Sequence, residues 1–287
     1  MSRSTRISSR NARFQQWQAL LTSRQKRQRS GEFLVHGVRP ITLAVEHGWP
    51  LRAVIYDGDR TLSRWAAQTI QRVEYVEHVA MAAELIAELG EKADDPPELV
   101  AVAEIPPDDY ARIPATAGFL CLAFDRPSSP GNIGTLVRSA DAFGAAGLIV
   151  TGHAADPYDP KSVRASTGSL FAVPVVRDES PRGVLSWVSS LRVGGLPVTV
   201  VGTDENGTIA IAEQDLTQPT LLVVGNETTG LSSGWREACD VIASIPITGS
   251  ASSLNAANAG TIALYEAARQ RAVLHLRPLI RHPDEAN

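Results

Sequence analysis

Short apolar segments alternate with helical segments through the second half of the chain, and this alternation limits the fold more than any other feature. Strands that alternate with helices form parallel sheets covered on both faces. We therefore predict an α/β fold with a parallel sheet over residues 118–287. The predicted strands are 119–124, 148–150, 172–176, 198–201, 221–224 and 241–245, and the predicted helices are 132–143, 160–168, 183–191, 233–239 and 254–271.

The first half alternates in the same way, so we predict a smaller N-terminal α/β domain. Its predicted helices are 11–21, 38–47, 62–71 and 81–89, and its predicted strands are 33–35, 53–56, 73–76 and 99–102. Five prolines between Asp94 and Gly118 exclude a continuous helix and mark the boundary. The predicted division is a disordered basic tail (1–10), an N-terminal domain (11–106), a linker (107–117) and a C-terminal domain (118–287).

Basic residues are concentrated at the N-terminus of an otherwise acidic chain. Residues 1–39 contain nine Lys and Arg and one acidic residue, a net charge of +8, whereas the remainder carries −12. A basic segment on an acidic body favours a polyanionic partner, and Phe14 and Trp17 lie between these charges as base-stacking residues would. The charge pattern therefore predicts RNA or DNA binding, with a solvated tail as the alternative.

Composition and spacing exclude several classes of protein. The two cysteines lie far apart without a C-x-x-C pattern, which argues against a disulfide framework or a zinc ribbon. No apolar run reaches the ~20 residues of a membrane span, and the N-terminus lacks the apolar core of a secretion signal. The acidic residues Asp156, Asp159, Glu213 and Asp215 lack metal-like spacing. We expect a cytoplasmic protein that holds no metal.

Three loops rich in small residues follow predicted strands, and each leads toward a helix. They are residues 125–138 (DRPSSPGNIGTLVR), residues 224–230 (VGNETTG) and the stretch 243–266, where a Ser-rich loop enters an Ala-rich helix. In open parallel sheets ligands bind where loops leave the carboxyl ends of strands, so we expect these loops to converge. Taken alone, the third loop fits an ordinary capped turn equally well. The absence of G-x-G-x-x-G and G-x-x-x-x-G-K-[ST] counts against a dinucleotide fold and a P-loop enzyme.

In this order the three loops resemble the motifs of the SpoU/TrmH branch of the SPOUT RNA methyltransferases. The resemblance covers about residues 118–272, and residues 159–168 (DPKSVRASTG) are similar to the family's central segment. The N-terminal half, with RNAR at 10–13 and GEFLVHGVR at 31–39, resembles the substrate-binding domain of ribosomal-RNA members. The resemblance implies ribose 2′-O-methylation with S-adenosylmethionine (SAM), no metal, a homodimer, and a deep trefoil knot that includes the third loop.

The resemblance also implies which residues form the site. Arg138 matches the catalytic arginine, and the residues matching the positions around it are Asn132, Glu227, Ser253 and Asn255. The positions that hold SAM are matched by Gly225, Asn226, Ile245, Ile247 and Leu254, with Thr203 as a further candidate. We expect the small residues Gly225 and Ser253 to let the cofactor approach the backbone.

The role of Arg138 stays open at this stage. A guanidinium remains protonated under ordinary conditions, so it serves as a base only if its surroundings lower its pKa strongly. Alternatively, it grips the adjacent phosphate and orients the ribose hydroxyl, while phosphate or water takes the proton. We favour orientation.

Nine basic residues are assigned to RNA binding. They are Arg10, Arg13, Arg24, Lys26, Arg27, Arg29, Arg39, Lys161 and Arg164. The resemblance points to large-subunit (23S) rRNA, to a uridine near the peptidyl-transferase region and to antibiotic resistance. A tRNA 2′-O-ribose methyltransferase and a non-catalytic RNA-binding or ribosome-assembly factor remain the alternatives.

Overall fold

The computed structural model describes residues 4–91 and 96–276, which form two compact units. The strands are β1 Ser4–Ile7, β2 Glu32–His36, β3 Leu51–Asp57, β4 Glu77–Met81, β5 Leu99–Glu104, β6 Leu120–Asp125, β7 Gly147–Thr151, β8 Val175–Asp178, β9 Thr199–Thr203, β10 Ile209–Ala210, β11 Thr220–Val224 and β12 Val241–Ser244. The helices are α1 Ala12–Thr22, α2 Arg24–Ser30, α3 Val38–Glu46, α4 Arg64–Arg72, α5 Ala83–Gly90, α6 Pro130–Ala142, α7 Pro160–Ser166, α8 Pro181–Val193, α9 Ser233–Ala238 and α10 Ala256–Leu276. None of these helices is long and apolar enough to cross a membrane.

The first unit is built on a mixed sheet with the strand order β1-β4-β3-β5-β2. Strands β1, β3 and β4 are parallel, and β5 runs antiparallel to both β3 and β2. Helix α1 contributes its apolar face to the core of this unit, where Phe14 is 0% and Trp17 is 4% exposed. The prediction that these two rings stack on bases is therefore wrong, because both are core residues.

The N-terminus differs from the sequence prediction of a disordered tail over residues 1–10. Residues 4–7 form strand β1, which pairs in parallel with β4, and the Thr5 hydroxyl donates to Glu77 Oε1 at 3.1 Å. Residues 1–3 lie outside the described part of the chain. The strand predicted at 73–76 is also wrong, since Val73 and Val76 are buried in the turn that precedes β4.

The segment Asp156–Ala172 belongs to the first unit although it follows two strands of the second sheet. The Phe33 ring lies 5.0 Å from the Tyr158 ring and 6.3 Å from the Phe171 ring, measured between centroids. At Gly168, a Cβ would lie 2.6 Å from Leu43 Cδ1, so this close packing requires glycine. The predicted C-terminal domain (118–287) is therefore not continuous in space.

The second unit contains a seven-stranded sheet with the order β10-β12-β9-β11-β6-β7-β8. Every pair in it is parallel, and β6 and β11 are buried along their whole length, which explains their continuous apolar sequences. The predicted parallel α/β sheet is confirmed. The order also puts β11 between β9 and β6, so that Val224 pairs with both Thr203 and Phe124.

Residues 108–117 pack with the second unit rather than acting as part of the predicted linker (107–117). The Tyr110 ring stacks on Trp187 with a centroid distance of 4.8 Å, and the Tyr110 hydroxyl donates to Asp178 Oδ2 at 2.5 Å. Ile113 is buried beside them. The prolines end the regular structure here, but the apolar residues between them join the core.

Helices α6 and α10 pack closely on one another. A Cβ at Gly260 would lie 2.7 Å from Leu136 Cδ1 and 3.0 Å from Val224 Cγ2, so glycine allows this approach without displacing these buried side chains. The hydroxyls of Ser139 and Thr261 are 2.7 Å apart across the same contact. This packing fixes the starts of both helices beside the end of β11.

Candidate active site

The loops that follow β6 and β11 meet the loop that precedes α10, as the arrangement of the sheet requires. The Asn255 amide donates from Nδ2 to Asn132 Oδ1 at 3.1 Å, and the Asn132 amide donates from Nδ2 to Glu227 Oε1 at 2.9 Å. Each of the three loops thus contributes one member to a hydrogen-bonded chain. The Asn132 amide has its orientation fixed by an acceptor on one side and a donor on the other.

Glu227 is held by the start of α6 as well. Its carboxylate accepts from the Ser128 backbone N–H and hydroxyl, both at 2.9 Å, and from the Ser129 backbone N–H at 3.2 Å. Partial burial raises the pKa of Glu227, but the hydrogen bonds from Ser128 and Asn132 outweigh it and hold the pKa below the ordinary 4.5. The carboxylate is therefore ionised at neutral pH. Sequence analysis did not assign Ser128 or Ser129, and the Ser-Ser-Pro start of the helix was the available signal.

A cavity of about 410 Å³ opens beside the hydrogen-bonded side chains of Asn255, Asn132 and Glu227. Its lining includes Glu227 and Ser253. It also includes all six residues predicted to hold the cofactor, namely Thr203, Gly225, Asn226, Ile245, Ile247 and Leu254. Ile245, Ile247 and Leu254 supply an apolar wall, and the turn after β11 supplies a polar one.

The cavity has an acidic surplus. Asp204, Glu205 and Glu227 line it together with one cation, Arg236, which pairs with Asp204 at 2.5 Å. Sequence analysis missed Asp204, Glu205 and Arg236. Within residues 4–91 and 96–276, no group of three or more His, Cys, Asp and Glu side chains could hold a metal ion.

Gly225, which lines the cavity, is also required by the turn that follows β11. A Cβ at this position would lie 2.5 Å from Gly230 C and 2.6 Å from Leu231 N. These are backbone atoms of the same turn and cannot yield as a flexible side chain would. Closure of the Asn226–Gly230 turn therefore requires glycine at this position, and the expectation that Gly225 also lets the cofactor approach stays a prediction.

Arg138 lies on α6 six residues after Asn132, about 9 Å further along the helix axis. Its side chain is exposed and makes no hydrogen bond or ion pair to any residue that the structure describes. Arg138 therefore has no hydrogen bond, within one protomer, to Asn255, Asn132 or Glu227. It is a free cation on the helix that carries Asn132.

Arg27 is a correction to the predicted RNA-binding set. Its side chain is 2% exposed, and its guanidinium donates to Asp156 Oδ2 at 2.7 Å, Asp159 Oδ2 at 3.3 Å and the Leu20 carbonyl at 2.6 Å. Buried charges of this kind are matched by partners, and here all the partners belong to the first unit. Arg27 ties Asp156–Ala172 to that unit and is not available to RNA.

The other eight predicted RNA contacts fall into two groups. Arg10, Arg13 and Arg164 form ion pairs with Glu88, Glu77 and Glu91, and Arg24 is exposed at the start of α2. In contrast, four exposed side chains have no hydrogen-bond or ion-pair partner among the described residues: Lys26, Arg29, Arg39 and Lys161.

Two of these four side chains share one groove. Lys26 and Arg29 line a cavity of about 560 Å³ along α1 and α2, together with Gln16 and Glu32. Burial raises the pKa of the Glu32 carboxyl, which lies partly inside this groove. We refer to this cavity as the α1–α2 groove.

Comparison with known proteins identifies relatives for both halves of the chain. Residues 120–265 match the SpoU rRNA Methylase family, and residues 11–101 match the SpoU L30e-like domain. A 23S rRNA (uridine(2479)-2′-O)-methyltransferase of Streptomyces viridochromogenes is 63% identical over 266 residues, which are 93% of this chain and 92% of the relative.

Solved structures agree with these matches. The SpoU methyltransferase AviRb from Streptomyces viridochromogenes, in complex with the cofactor AdoMet (SAM), aligns with a TM-score of 0.88 and 63% identity over 92% of this chain and 99% of its own. An AdoMet-bound rRNA methyltransferase from Sinorhizobium meliloti aligns with a TM-score of 0.82 and 28% identity over 97% of this chain and 99% of its own. The motif matches, the identity and the shared fold lead to one assignment: this chain belongs to the SpoU rRNA methylase family.

Proposed function

We propose that this enzyme transfers the methyl group of SAM to the ribose 2′-hydroxyl of a uridine in 23S rRNA. The observation that carries the proposal is the Asn255–Asn132–Glu227 chain at the edge of a cavity that all six predicted cofactor residues line. The relative that is 63% identical has this activity in its name, with uridine 2479 as its target. We expect the enzyme to methylate ribosomal RNA in the cytoplasm.

The cavity suits SAM in size and charge. Its volume of about 410 Å³ lies within the range of roughly 300–1,000 Å³ that small-molecule sites occupy. When bound, SAM supplies an electrophilic methyl group on a cationic sulfur. The surplus of Asp204, Glu205 and Glu227 over Arg236 complements that positive charge. Ile245, Ile247 and Leu254 offer an apolar surface to the remainder of the molecule.

The polar chain orients the acceptor side of the reaction. Glu227, ionised and held by Ser128 and Ser129, fixes the Asn132 amide, which in turn fixes Asn255. Arg138 has its guanidinium free for the phosphate next to the target ribose, where a bidentate contact would align the 2′-hydroxyl. The hydroxyl proton then passes to that phosphate or to water. Ser253, which lines the cavity, offers a further hydroxyl to the same substrate group.

RNA contacts are best supported for the four cations that have no partner in the described part of the chain. Lys26 and Arg29 line the α1–α2 groove of about 560 Å³, and Arg39 and Lys161 are exposed on the same unit. Phosphate contacts need cations that are not already neutralised, which is why the paired Arg10, Arg13 and Arg164 are weaker candidates. Residues 11–101, which match the SpoU L30e-like domain, would bind the substrate.

We also infer that the enzyme works as a homodimer. Helix α10 exposes Ile262, Tyr265 and Val273, which recur at helical spacing on one side, and Tyr265 is 54% exposed. A second copy would cover this apolar side. Light scattering at two concentrations tests the assembly, and substitution of Tyr265 by Glu should favour the monomer. Family membership further supports a trefoil knot that includes residues 245–255.

The decisive experiment supplies labelled SAM with 23S rRNA or with total tRNA and maps 2′-O-methyl groups by primer extension. A stop at one uridine of 23S rRNA supports the proposal, and methylation of tRNA alone supports the tRNA alternative. Calorimetry with SAM covers the non-catalytic alternative, which predicts no binding. If the uridine lies near the peptidyl-transferase region, a strain that expresses the enzyme should resist an antibiotic that binds there.

A further inference from the structure

Arg126 has a left-handed backbone with φ of 51°, a conformation that residues other than glycine rarely adopt. Among the described residues, two other non-glycine residues share this feature, Glu91 and Thr167, and both follow helices as C-caps, where the left-handed conformation is common. Arg126 has no such explanation. It directly follows β6 and is hydrogen-bonded to Asn226 and Gly230, which line the cofactor cavity.

The backbone of Arg126 is held on both sides. Its N–H donates to the Thr151 carbonyl at 2.9 Å, and its own carbonyl accepts from Asn226 Nδ2 at 2.6 Å. Its side chain passes over Gly152, where a Cβ would lie 2.7 Å from Arg126 Cγ. Glycine at 152, directly after β7, therefore leaves room for the Arg126 side chain.

The guanidinium of Arg126 ends on two further groups. Nη2 donates to the Gly230 carbonyl at 3.1 Å, and Nε donates to Asp125 Oδ2 at 3.2 Å. Asp125 is 1% exposed and also accepts from the Ser232 backbone N–H at 2.8 Å. Ser232 lies two residues after Gly230, so Asp125 holds the loop after β11 just beyond Gly230. Both ends of one turn thus converge on Arg126 and its neighbour.

The turn in question is Asn226–Gly230. Asn226 and Gly230 exchange two backbone hydrogen bonds of 3.0 Å, and all five residues of the turn line the cofactor cavity. Arg126 contacts the first residue through its carbonyl and the last through its guanidinium. A shift of this turn would move Glu227 and the polar wall of the cavity together.

We propose that Arg126 is a positioning residue that clamps both ends of the Asn226–Gly230 turn and so shapes the cofactor cavity. In its left-handed conformation the residue offers both the carbonyl and the guanidinium to the same turn, and these contacts offset the strain. The proposal rests on the proposed function only in its choice of SAM as the probe.

The variant Arg126→Gly separates the clamp from general stability. Glycine adopts the left-handed conformation without strain, and this gain offsets the lost contacts to Asp125 and Gly230 and the greater freedom of the unfolded chain, so the melting temperature should change little. Loss of the guanidinium should weaken SAM binding about tenfold in calorimetry, as expected for one charge-assisted hydrogen bond. Without SAM, the amide protons of Asn226 and Gly230 should lose protection from hydrogen exchange, while those of β11 keep it.

Two further variants complete the test. Thr167→Gly relieves the same backbone conformation in the first unit, so it should raise the melting temperature and leave SAM affinity unchanged. Arg126→Lys keeps the strain and the charge but lacks the fork that reaches Asp125 and Gly230. It should weaken SAM binding as much as Arg126→Gly does and should melt at a lower temperature than that variant.

Either of two results would overturn the proposal. One is unchanged SAM affinity together with unchanged exchange at Asn226 and Gly230 in Arg126→Gly. The other is a fall in melting temperature with loss of protection across the whole sheet, which is what an ordinary structural role produces. If the unsubstituted enzyme does not bind SAM, the proposed function fails, and the exchange of residues 226–230 still decides whether the clamp exists.

Discussion

Asn132 and Glu227 join two loops of the second unit through a hydrogen bond of 2.9 Å between Asn132 Nδ2 and Glu227 Oε1. Because Glu227 is an ionised acceptor, Asn132 must present its NH2 group to it and its oxygen to Asn255. One charged group therefore determines the orientation of two neutral amides. Side-chain hydrogen bonds, and not only backbone packing, therefore hold these loops together at the site.

Asn132→Asp should lower the rate of methyl transfer by about two to three orders of magnitude, the scale seen when one preorganised donor is lost. The new carboxylate cannot donate to Glu227 and repels it, so both loops lose their alignment. Because the turn that carries Glu227 lines the cofactor cavity, SAM affinity should weaken as well, but by less than the rate falls. Single-turnover kinetics and calorimetry measure the two quantities. Asn132→Ala serves as the control, and it should retain more activity than the Asp variant because it adds no charge.

Glu227 should make stability depend on pH in a defined direction. Its pKa in the folded protein lies below the ordinary 4.5, so its hydrogen bonds contribute fully above that pH and are lost as pH falls through the folded pKa. We expect Glu227→Gln to lower the free energy of unfolding by about 1 kcal/mol at pH 7, the scale of one net hydrogen bond. Denaturant unfolding at several pH values should show this difference shrinking below 4.5. A difference that grows as pH falls would contradict the assignment.

The parallel sheet and the convergence of the loops were predictable from the sequence because both follow from local patterns. Buried strands such as β6 and β11 are continuous apolar runs, and the loops after parallel strands meet at one edge. The six cofactor residues came from the resemblance to a family, and the structure brings them to one cavity. Periodicity alone would not have selected them.

The errors came from long-range contacts that no local pattern records. Arg27 is one of several arginines in a basic segment, and only the fold shows that Asp156, distant in sequence, neutralises it. Trp17 has the same local surroundings as a base-stacking ring, yet it packs in the core. Arg126 gave no signal either, because a positive φ cannot be read from an arginine.

Gly225→Ala should abolish SAM binding, because the added methyl group would lie 2.5 Å from backbone of the turn that forms the cavity wall. The turn can relieve this contact only by opening, which displaces Asn226 and Glu227. Calorimetry gives the affinity, and circular dichroism checks that the sheet is retained. Gly118→Ala is the matched control, since a Cβ there has no atom within 4 Å, and it should bind SAM normally.

Lys26→Ala combined with Arg29→Ala should weaken RNA binding and flatten its dependence on salt. Each phosphate contact to single-stranded RNA contributes about 0.7 to the slope of log affinity against log salt, so the slope should fall by roughly 1.4. Arg10→Ala combined with Arg13→Ala removes the same charge from residues already paired with Glu88 and Glu77, and its effect should be smaller. Filter binding at several salt concentrations compares the pairs. Equal losses for both pairs would mean that net charge, and not the α1–α2 groove, governs binding.

Arg138→Lys should lose nearly all methyl transfer although it keeps the positive charge. If Arg138 orients the substrate through a bidentate phosphate contact, a single ammonium cannot reproduce the planar fork. SAM affinity and melting temperature should stay unchanged, since the side chain is exposed and contacts no described residue through a hydrogen bond or ion pair. Arg182→Lys, an exposed arginine on α8, is the matched control and should retain activity. Near-normal turnover of Arg138→Lys would instead assign Arg138 a purely electrostatic role, because charge without planar geometry would then suffice.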